Sequence, residues 1–331
     1  MSIRVGINGF GRIGRNYLRS ALDRRHRVVA VNDVTDPATL AYLLKYDSTY
    51  GPLGWAVGTD GAALVVGDHR IPVTSEHDPA DLDWGAYGAD IVIESTGHFR
   101  RREDAARHLK SGARKVVISA PGKDVDATIV IGVNENSYDA ARHDVISNAS
   151  CTTNCVAPMA KVLHDAFGIV KGYMTTIHGY TNDQVVLDSP HKDLRRGRSA
   201  GVNMIPTSTG AARSVGVVIP ELAGRFDGLA LRVPVEDGSL VDLACVLATP
   251  VTPEEVNTAF REVGENLGRI IRYTTEPVVS RDVVGDASSC VFDASLTQAN
   301  GDLIKVFGWY DNEWGYTNRL ADLIEYITEA S

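Results

Sequence analysis

The sequence predicts an α/β protein with two domains, one on a doubly wound parallel sheet and one an α+β domain with a mostly antiparallel sheet. Up to residue 150, short runs rich in β-branched residues alternate with helical or polar segments, as in parallel sheets covered on both faces. Longer apolar runs separated by turns follow, beginning with Gly168 to Tyr180, and favour an antiparallel or mixed sheet. We therefore expect a first domain at 1–150, completed by an amphipathic C-terminal helix at 314–331, and a second at 151–313.

Composition narrows the class of protein. At 331 residues, 44% hydrophobic and 23% charged, the chain is an ordinary globular protein. Its net charge of −9 argues against general nucleic-acid binding, since such binding rests on excess basic charge. No apolar run approaches the roughly 20 residues that span a bilayer, and we expect no signal peptide or transit segment, because the chain goes straight into a strand-like run. Four cysteines without a CxxC pair predict no disulfide scaffold, no metal site and a cytoplasmic protein, with Cys245 and Cys290 in the core.

The beginning of the chain predicts a dinucleotide site. A strand-like run ending at Asn8 leads into Gly9, Gly11 and Gly14, a helical pattern follows, and a second apolar run ends at Asp33, 19 residues after Gly14. This order is the Rossmann-type fingerprint, in which glycines admit a pyrophosphate and the carboxylate accepts from ribose hydroxyls. A tight turn without a ligand is the alternative. Because Asp33 would repel a 2′-phosphate, NAD is favoured over NADP.

Small residues lie at the ends of later strands of this sheet, where the cofactor crevice of such folds opens. They are Thr96, Gly97 and Ser119.

The segment ASCTTNC predicts a reactive cysteine. Ser150 is a good N-cap, so Cys151 would lie at the positive end of a helix, which favours thiolate over thiol. A cysteine placed in this way attacks carbonyl carbon. The alternative is a small buried side chain beside a cap, a description that fits Cys155 better.

Three features of the second half bear on catalysis. His178 ends a β-branched run beside a glycine, which suits a general base forming an ion pair with Cys151, or alternatively a structural histidine. The basic cluster 191–198 suits a phosphate-bearing substrate or a solvated face. The hydroxyls and glycine at 207–210 precede a small-residue helical stretch, which predicts an anion-binding helix start or a plain cap.

These segments resemble phosphorylating glyceraldehyde-3-phosphate dehydrogenases of the NAD-dependent type. The resemblance runs the whole length, through VGINGFGRIGR, LLKYDSTYG, ASCTTNC, IHGYTNDQ, PHKDLRR, IPTSTGAA and WYDNEWGY. It implies oxidation of D-glyceraldehyde 3-phosphate to 1,3-bisphosphoglycerate with NAD and inorganic phosphate, in glycolysis or gluconeogenesis. It also implies a Cys151 nucleophile, a His178 base and a homotetramer with the 185–205 loop near a subunit interface.

The resemblance further assigns binding residues. Substrate and phosphate contacts are implied for Ser150, Thr152, Thr181, Arg198, Thr209, Gly210 and Arg232. Cofactor contacts are implied for Asn8, Gly9, Gly11, Arg12, Ile13, Gly14, Asp33, His77, Thr96, Gly97, Ser119, Asn312 and Tyr316.

The chain departs from the family pattern at four positions. His77 lies where many relatives have arginine, Val156 replaces a leucine, Ser189 stands in a usual Asp-Leu-Pro, and Glu236 lies in a segment that usually contains proline. These departures suggest a specialised, inhibitor-tolerant copy of the enzyme. The sequence also leaves open an erythrose-4-phosphate dehydrogenase, an inactive cofactor-sensing protein and a secondary RNA-binding role, the last of which the acidity does not support.

Overall fold

The computed structural model describes residues 2–330, which divide into two compact units. The first unit contains residues 2–129, 135–149 and 317–330, and the second contains residues 130–134 and 150–316. Among the described residues, no helix has the length and apolar character needed to cross a membrane.

The first unit contains, within these residues, a nine-stranded sheet in the order β3-β4-β5-β2-β1-β6-β7-β9-β8. All pairings from β5 to β8 are parallel, as the sequence predicts, whereas β3, β4 and β5 form an antiparallel edge. The strands are β1 Ile3–Asn8, β2 His26–Asn32, β3 Val57–Thr59, β4 Ala63–Val66, β5 His69–Thr74, β6 Ile91–Glu94, β7 Lys115–Ile118, β8 Ala127–Thr128 and β9 Val145–Ser147. The helices are α1 Arg12–Ala21, α2 Pro37–Lys45, α3 Trp84–Tyr87, α4 Arg102–Ala105, α5 Arg107–Lys110 and the C-terminal α9 Trp314–Glu329, of which this unit contains the part from Thr317.

Two glycines of the fingerprint are required by close backbone approach. Gly9 has φ +92°, and a Cβ there would lie 2.6 Å from the Thr96 backbone nitrogen. A Cβ on Gly14 would collide with the carbonyl oxygen of Gly9. The turn between β1 and α1 therefore packs against the chain beyond β6 and admits no side chain at either position.

The second unit contains, among its described residues, an eight-stranded mixed sheet, largely antiparallel as predicted. The order is β11-β12-β10-β13-β17-β15-β14, with β16 paired to β17. The strands are β10 Ile169–Gly179, β11 Ile205–Ser208, β12 Phe226–Val233, β13 Ser239–Leu247, β14 Ile271–Thr274, β15 Cys290–Asp293, β16 Gln298–Asn300 and β17 Leu303–Tyr310. The helices are α6 Cys151–Phe167, α7 Ala211–Val218 and α8 Pro253–Asn266.

The strand β10 carries His178 toward the helical layer. Met174, Thr176 and His178 alternate along one buried face because side chains repeat every second residue in a strand. β10 also pairs in parallel with β12, and the register places His178 directly opposite Arg232.

Helix α6 begins as the sequence predicts. The Ser150 hydroxyl accepts a hydrogen bond from the Thr153 backbone N–H, and Cys151 is the first helical residue. Ala149, just before the cap, has a left-handed φ of 56°, which is uncommon for a residue with a side chain and frequent near functional sites. The predicted core cysteines Cys155, Cys245 and Cys290 are at most 1% exposed, which confirms that expectation.

The start of α8 provides a test of local stability. Thr252 accepts from the Glu255 N–H, Glu255 accepts from the Thr252 N–H, and Pro253 occupies the first helical position, a capping box that the sequence predicts. We expect Thr252→Ala to lower the free energy of unfolding by about 1 kcal/mol, because the backbone N–H of Glu255 loses its acceptor. Urea denaturation measures the loss, and hydrogen exchange should show faster opening at 253–256. Glu262→Ala, exposed on the same helix, is the control; an equal loss there would contradict the capping explanation.

Candidate active site

Cys151 and His178 lie together, although 27 residues separate them. The Cys151 Sγ is 3.5 Å from the His178 Nε2, and the other ring nitrogen, Nδ1, is 2.7 Å from the Gly179 carbonyl oxygen. His178 is 3% exposed, whereas Cys151 remains partly accessible. The helix start and the strand end thus place the thiol of Cys151 beside a histidine, the arrangement that the sequence predicts for a nucleophile and its base.

Tyr310, the last residue of β17, fixes this pair and was not singled out by the sequence patterns. Its hydroxyl lies 2.9 Å from the Thr152 Oγ1 and 2.8 Å from the Thr176 Oγ1. Its ring packs edge-on to His178, with the ring centres 5.9 Å apart. The Thr152 side chain, expected to contact phosphate, is 4% exposed and bonded to Tyr310.

Arg232 provides the positive charge closest to this pair. Its Nη1 donates to the Gly179 carbonyl at 3.0 Å and lies 2.7 Å from the His178 Nδ1. Its Nε is buried and has no hydrogen-bond partner. Burial lowers the pKa of the Arg232 guanidinium. A partly buried cation with an unsatisfied Nε–H, close to a cysteine, suits an anionic ligand.

The electrostatics of the pair differ from the sequence expectation. Burial raises the pKa of the Cys151 thiol, and the positive charge of Arg232 and hydrogen bonds from Thr152 only partly oppose this effect. Burial and, to a smaller extent, Arg232 lower the pKa of His178 to about 3. The predicted fall in the thiol pKa is therefore wrong for this arrangement, whereas the ion pair with His178 stays a prediction. At the thiol, desolvation therefore outweighs the effect of the helix terminus.

The loop between β10 and β11 brings a different arginine to the hydroxyl segment than the one expected. Arg198, predicted to contact phosphate, has a 62% exposed side chain and pairs with Asp188 at 2.9 Å. Arg196 instead donates to the Thr207 hydroxyl at 2.7 Å and pairs with Asp183. The sequence predicted the basic cluster 191–198 as a candidate phosphate site. The spacing of its arginines does not show which guanidinium lies against the hydroxyl segment.

The remaining residues expected to bind phosphate lie at two turns. Thr209 accepts from the Ala211 N–H, and Gly210 is the N-cap of α7, so this segment is a helix start as predicted. The Thr181 backbone N–H donates to the Gln184 side chain at 2.7 Å.

The first unit holds the expected dinucleotide residues around its glycine turn. The Asp33 carboxylate accepts from the backbone N–H groups of Phe10 and Thr35, which fixes it at the end of β2 with acceptor capacity left for ribose hydroxyls. Arg12 pairs with Asp47 at 2.5 Å. With the close approaches at Gly9 and Gly14, these residues fit a dinucleotide.

Other expected cofactor residues occupy varied environments. Asn8 is 1% exposed with its amide bonded to neighbouring side chains, the Ser119 hydroxyl donates to the Glu94 carbonyl, and His77 is exposed. In the second unit, Asn312 accepts from the Ser239 hydroxyl at 2.5 Å, and Tyr316 is 5% exposed. Gly11 and Ile13 flank the start of α1, and Thr96 and Gly97 follow β6. Across the described range, no group of three or more His, Cys, Asp or Glu side chains could hold a metal ion.

The glycine turn with its carboxylate is typical of dinucleotide-dependent oxidoreductases, and a helix-terminal cysteine beside a histidine is typical of enzymes that use a cysteine nucleophile. Comparison with known proteins agrees. Residues 3–102 match the model of the glyceraldehyde 3-phosphate dehydrogenase NAD binding domain, and residues 150–312 match that of the C-terminal domain of the same family. The chain belongs to the glyceraldehyde 3-phosphate dehydrogenase family.

Similar proteins cover nearly the whole chain. The chain is 57% identical over 332 residues to glyceraldehyde-3-phosphate dehydrogenase 1 of Bacillus subtilis and 56% identical over 331 residues to glyceraldehyde-3-phosphate dehydrogenase 2 of Streptomyces avermitilis, with 99% of each chain covered. It is also 56% identical over 330 residues to the Geobacillus stearothermophilus enzyme, covering 99% of this chain and 98% of that one. The predictions of an NAD-dependent oxidoreductase acting on an aldehyde, and of NAD as its cofactor, are confirmed.

The charge of Arg232 predicts the pH dependence of the thiol. We expect Arg232→Gln to raise the pKa of Cys151, because the removed cation favours the thiolate. Alkylation by iodoacetamide, an uncharged reagent, should then require higher pH than in the parent. The exposed Arg195→Gln serves as a control of equal charge change. An unshifted profile in Arg232→Gln would show that the guanidinium does not act on the sulfur.

Proposed function

We propose that the chain oxidises D-glyceraldehyde 3-phosphate to 1,3-bisphosphoglycerate with NAD and inorganic phosphate. The observation that carries the proposal is the Cys151 thiol 3.5 Å from the buried imidazole of His178, beside the guanidinium of Arg232. In this proposal the first unit, which the C-terminal helix completes, binds the dinucleotide. The second unit carries out catalysis.

The two side chains share the proton transfers. His178 Nε2 accepts the thiol proton as sulfur adds to the aldehyde carbon. In this tautomer the Nδ1–H donates to the Gly179 carbonyl, and the Arg232 Nη1 donates to the same carbonyl and not to Nδ1. The Cys151 backbone N–H and protonated His178 stabilise the oxyanion, and His178 then protonates it to give a hemithioacetal on Cys151. Neutral His178 next accepts the hydroxyl proton as the carbon loses hydride, leaving an acyl thioester. Bound NAD supplies the hydride acceptor.

Release of the product requires a second anion. Inorganic phosphate attacks the thioester carbon, the carbon–sulfur bond breaks, and the sulfur of Cys151 takes back a proton. One phosphate belongs to the substrate and one is the attacking ion, so two anion sites are needed. Arg232 and Arg196 are separate guanidinium groups suited to these sites, together with the expected residues at Ser150, Thr181 and Thr209. Arg198 stays an expected phosphate contact, and Arg196 is added to the proposal because it donates to the Thr207 hydroxyl.

Cofactor binding is assigned to the residues around the glycine turn. Asp33 would accept from ribose hydroxyls, and the turn at Gly9 would take the pyrophosphate. The other expected cofactor contacts, among them Arg12, Ile13, His77, Ser119, Asn312 and Tyr316, are retained as proposals.

Variants of the pair test this assignment. We expect phosphate-dependent NADH formation from glyceraldehyde 3-phosphate, abolished in Cys151→Ser and slowed about 10²- to 10⁴-fold in His178→Asn, because the base is lost. Absorbance at 340 nm follows the reaction, with one arm lacking phosphate and one with NADP. Cys155→Ala, one helical turn further along, is the control and should keep its activity. Undiminished activity in Cys151→Ser would rule out the thioester route.

The main competing activity is that of an erythrose-4-phosphate dehydrogenase, which transfers its acyl group to water. The relatives described above carry the other name, so this activity is not favoured. Rates with each aldehyde, with and without phosphate, separate the two.

A specialised, inhibitor-tolerant copy remains a proposal. Val156 is fully buried directly after Cys155 in α6, and Glu236 pairs with Arg281 at 2.7 Å. Both could alter the surroundings of the thiol. Alkylation of Cys151 as fast as in an ordinary relative would argue against it.

We also propose that the protein is cytoplasmic, since a free, reactive thiol requires a reducing compartment. We further propose that it forms a homotetramer. The support for assembly is a group of large apolar side chains, between 70% and 86% exposed, in the loop before β11: Val186, Leu187, Leu194, Val202 and Met204. Several large apolar side chains exposed in one loop favour an interface there.

Substitution in this loop tests the assembly. We expect Leu194→Asp to shift the protein toward smaller species, because a charge would be buried without a partner. Light scattering after size exclusion measures the mass. Exposed Lys192→Asp is the control, and an unchanged mass for Leu194→Asp would exclude this loop from the interface.

A further inference from the structure

A buried polar cluster lies beneath the glycine turn of the first unit, and the proposed reaction does not use it. Glu94, the last residue of β6, is 1% exposed, His108 in α5 is 0% exposed, and Asn8 at the end of β1 is 1% exposed. Burying a carboxylate in this way is costly unless its oxygens are fully hydrogen-bonded.

Every contact of the Glu94 carboxylate is a donated hydrogen bond. Oε2 accepts from the Asn8 Nδ2 at 2.6 Å and from the His108 Nε2 at 3.0 Å. Oε1 accepts from the Thr96 backbone N–H at 2.8 Å and from the Thr96 hydroxyl at 2.5 Å. These four donors match the acceptor capacity of one ionised carboxylate.

The tautomer of His108 is fixed by Trp84. The indole Nε1–H can only donate, and it lies 2.9 Å from the His108 Nδ1. Nδ1 is therefore the acceptor, so a neutral His108 carries its proton on Nε2 and donates it to Glu94. The hydrogen bonds thus run in one direction: Trp84 donates to His108, and His108 donates to Glu94.

The cluster joins two turns that approach the dinucleotide residues. Through Asn8 the carboxylate holds the entrance of the glycine turn, and through Thr96 it holds the turn after β6. Ser95 adds a bond from its hydroxyl to the Gly9 carbonyl at 2.7 Å. Asn8 is further held by the Asn32 side chain at 2.7 Å. Glu94 therefore sets the separation between the two turns.

We propose that Glu94, oriented by His108 and Trp84, is a positioning residue for dinucleotide binding. It holds the glycine turn and the turn at Thr96 at the spacing that a pyrophosphate and its ribose require. Asn8, expected to contact the cofactor, acts through Glu94 instead. The inference rests on the proposed function only in that a dinucleotide binds to this unit.

Glu94→Gln tests the proposal with little change in shape. If the new amide oxygen faces Thr96, its NH₂ group meets two donors, Asn8 and His108; if the amide is flipped, it meets the donors of Thr96. We expect the Kd for NAD and for ADP-ribose to rise about tenfold or more, since buried donors lose their acceptor. Calorimetry with ADP-ribose measures binding without any hydride chemistry. At saturating NAD, kcat and the KM for the aldehyde should stay within about threefold of the parent.

Controls separate positioning from general damage. Glu103→Gln, with a 71% exposed side chain, should leave ADP-ribose binding unchanged. His108→Ala removes one donor but leaves the carboxylate, so we expect a smaller loss of ADP-ribose affinity; this variant also serves if Glu94→Gln does not fold. A Kd for ADP-ribose within twofold of the parent in a folded Glu94→Gln or His108→Ala variant would overturn the proposal.

The double variant Trp84→Phe/Glu94→Gln tests the direction of the hydrogen bonds that run from Trp84 to Glu94. Trp84→Phe removes the indole donor, so His108 can move its proton to Nδ1 and accept from the amide of Glu94→Gln at Nε2. The double variant should therefore bind ADP-ribose more tightly than Glu94→Gln alone. Additive losses would refute the tautomer argument. Absence of aldehyde oxidation in the parent would refute the proposed function while leaving these binding results intact.

Discussion

The pairing of β10 with β12 is the constraint on which the candidate site depends. The parallel register places His178 opposite Arg232, and the guanidinium then bonds to the carbonyl of Gly179 beside the imidazole. A shift of one residue would turn His178 to the other face of the sheet, away from Cys151. The pairing of β10 with β12 thus determines how far the imidazole of His178 lies from the guanidinium of Arg232.

Desolvation decides the protonation of this site. A helix N-terminus stabilises a thiolate by a modest amount, whereas removal of water penalises every charged form in the pocket. Arg232 opposes the penalty at Cys151 and adds to it at His178, so one cation brings the thiol closer to ionisation and keeps the base unprotonated. A neutral imidazole beside a neutral thiol can accept the proton when sulfur attacks.

In the first unit, hydrogen bonds and not a cation stabilise a buried charged side chain. Glu94 is as buried as His178, yet four donors satisfy its oxygens. Both units therefore place a buried charged or polar group under a turn at the end of a strand. In each case the group fixes the geometry of neighbouring residues, because a different arrangement would leave buried polar atoms unsatisfied.

Local sequence determined the parts of this protein whose causes are local. The glycine turn, Asp33 after β2, the Ser150 cap and the Thr252 capping box follow from spacing and backbone chemistry within a few residues, and the alternating apolar runs predicted both sheet types. Tertiary structure alone decided which distant groups meet: Tyr310 with Thr152, Arg196 with Thr207, and Glu94 with His108. It also decided the thiol pKa, because burial depends on packing from every side and no local pattern contains it.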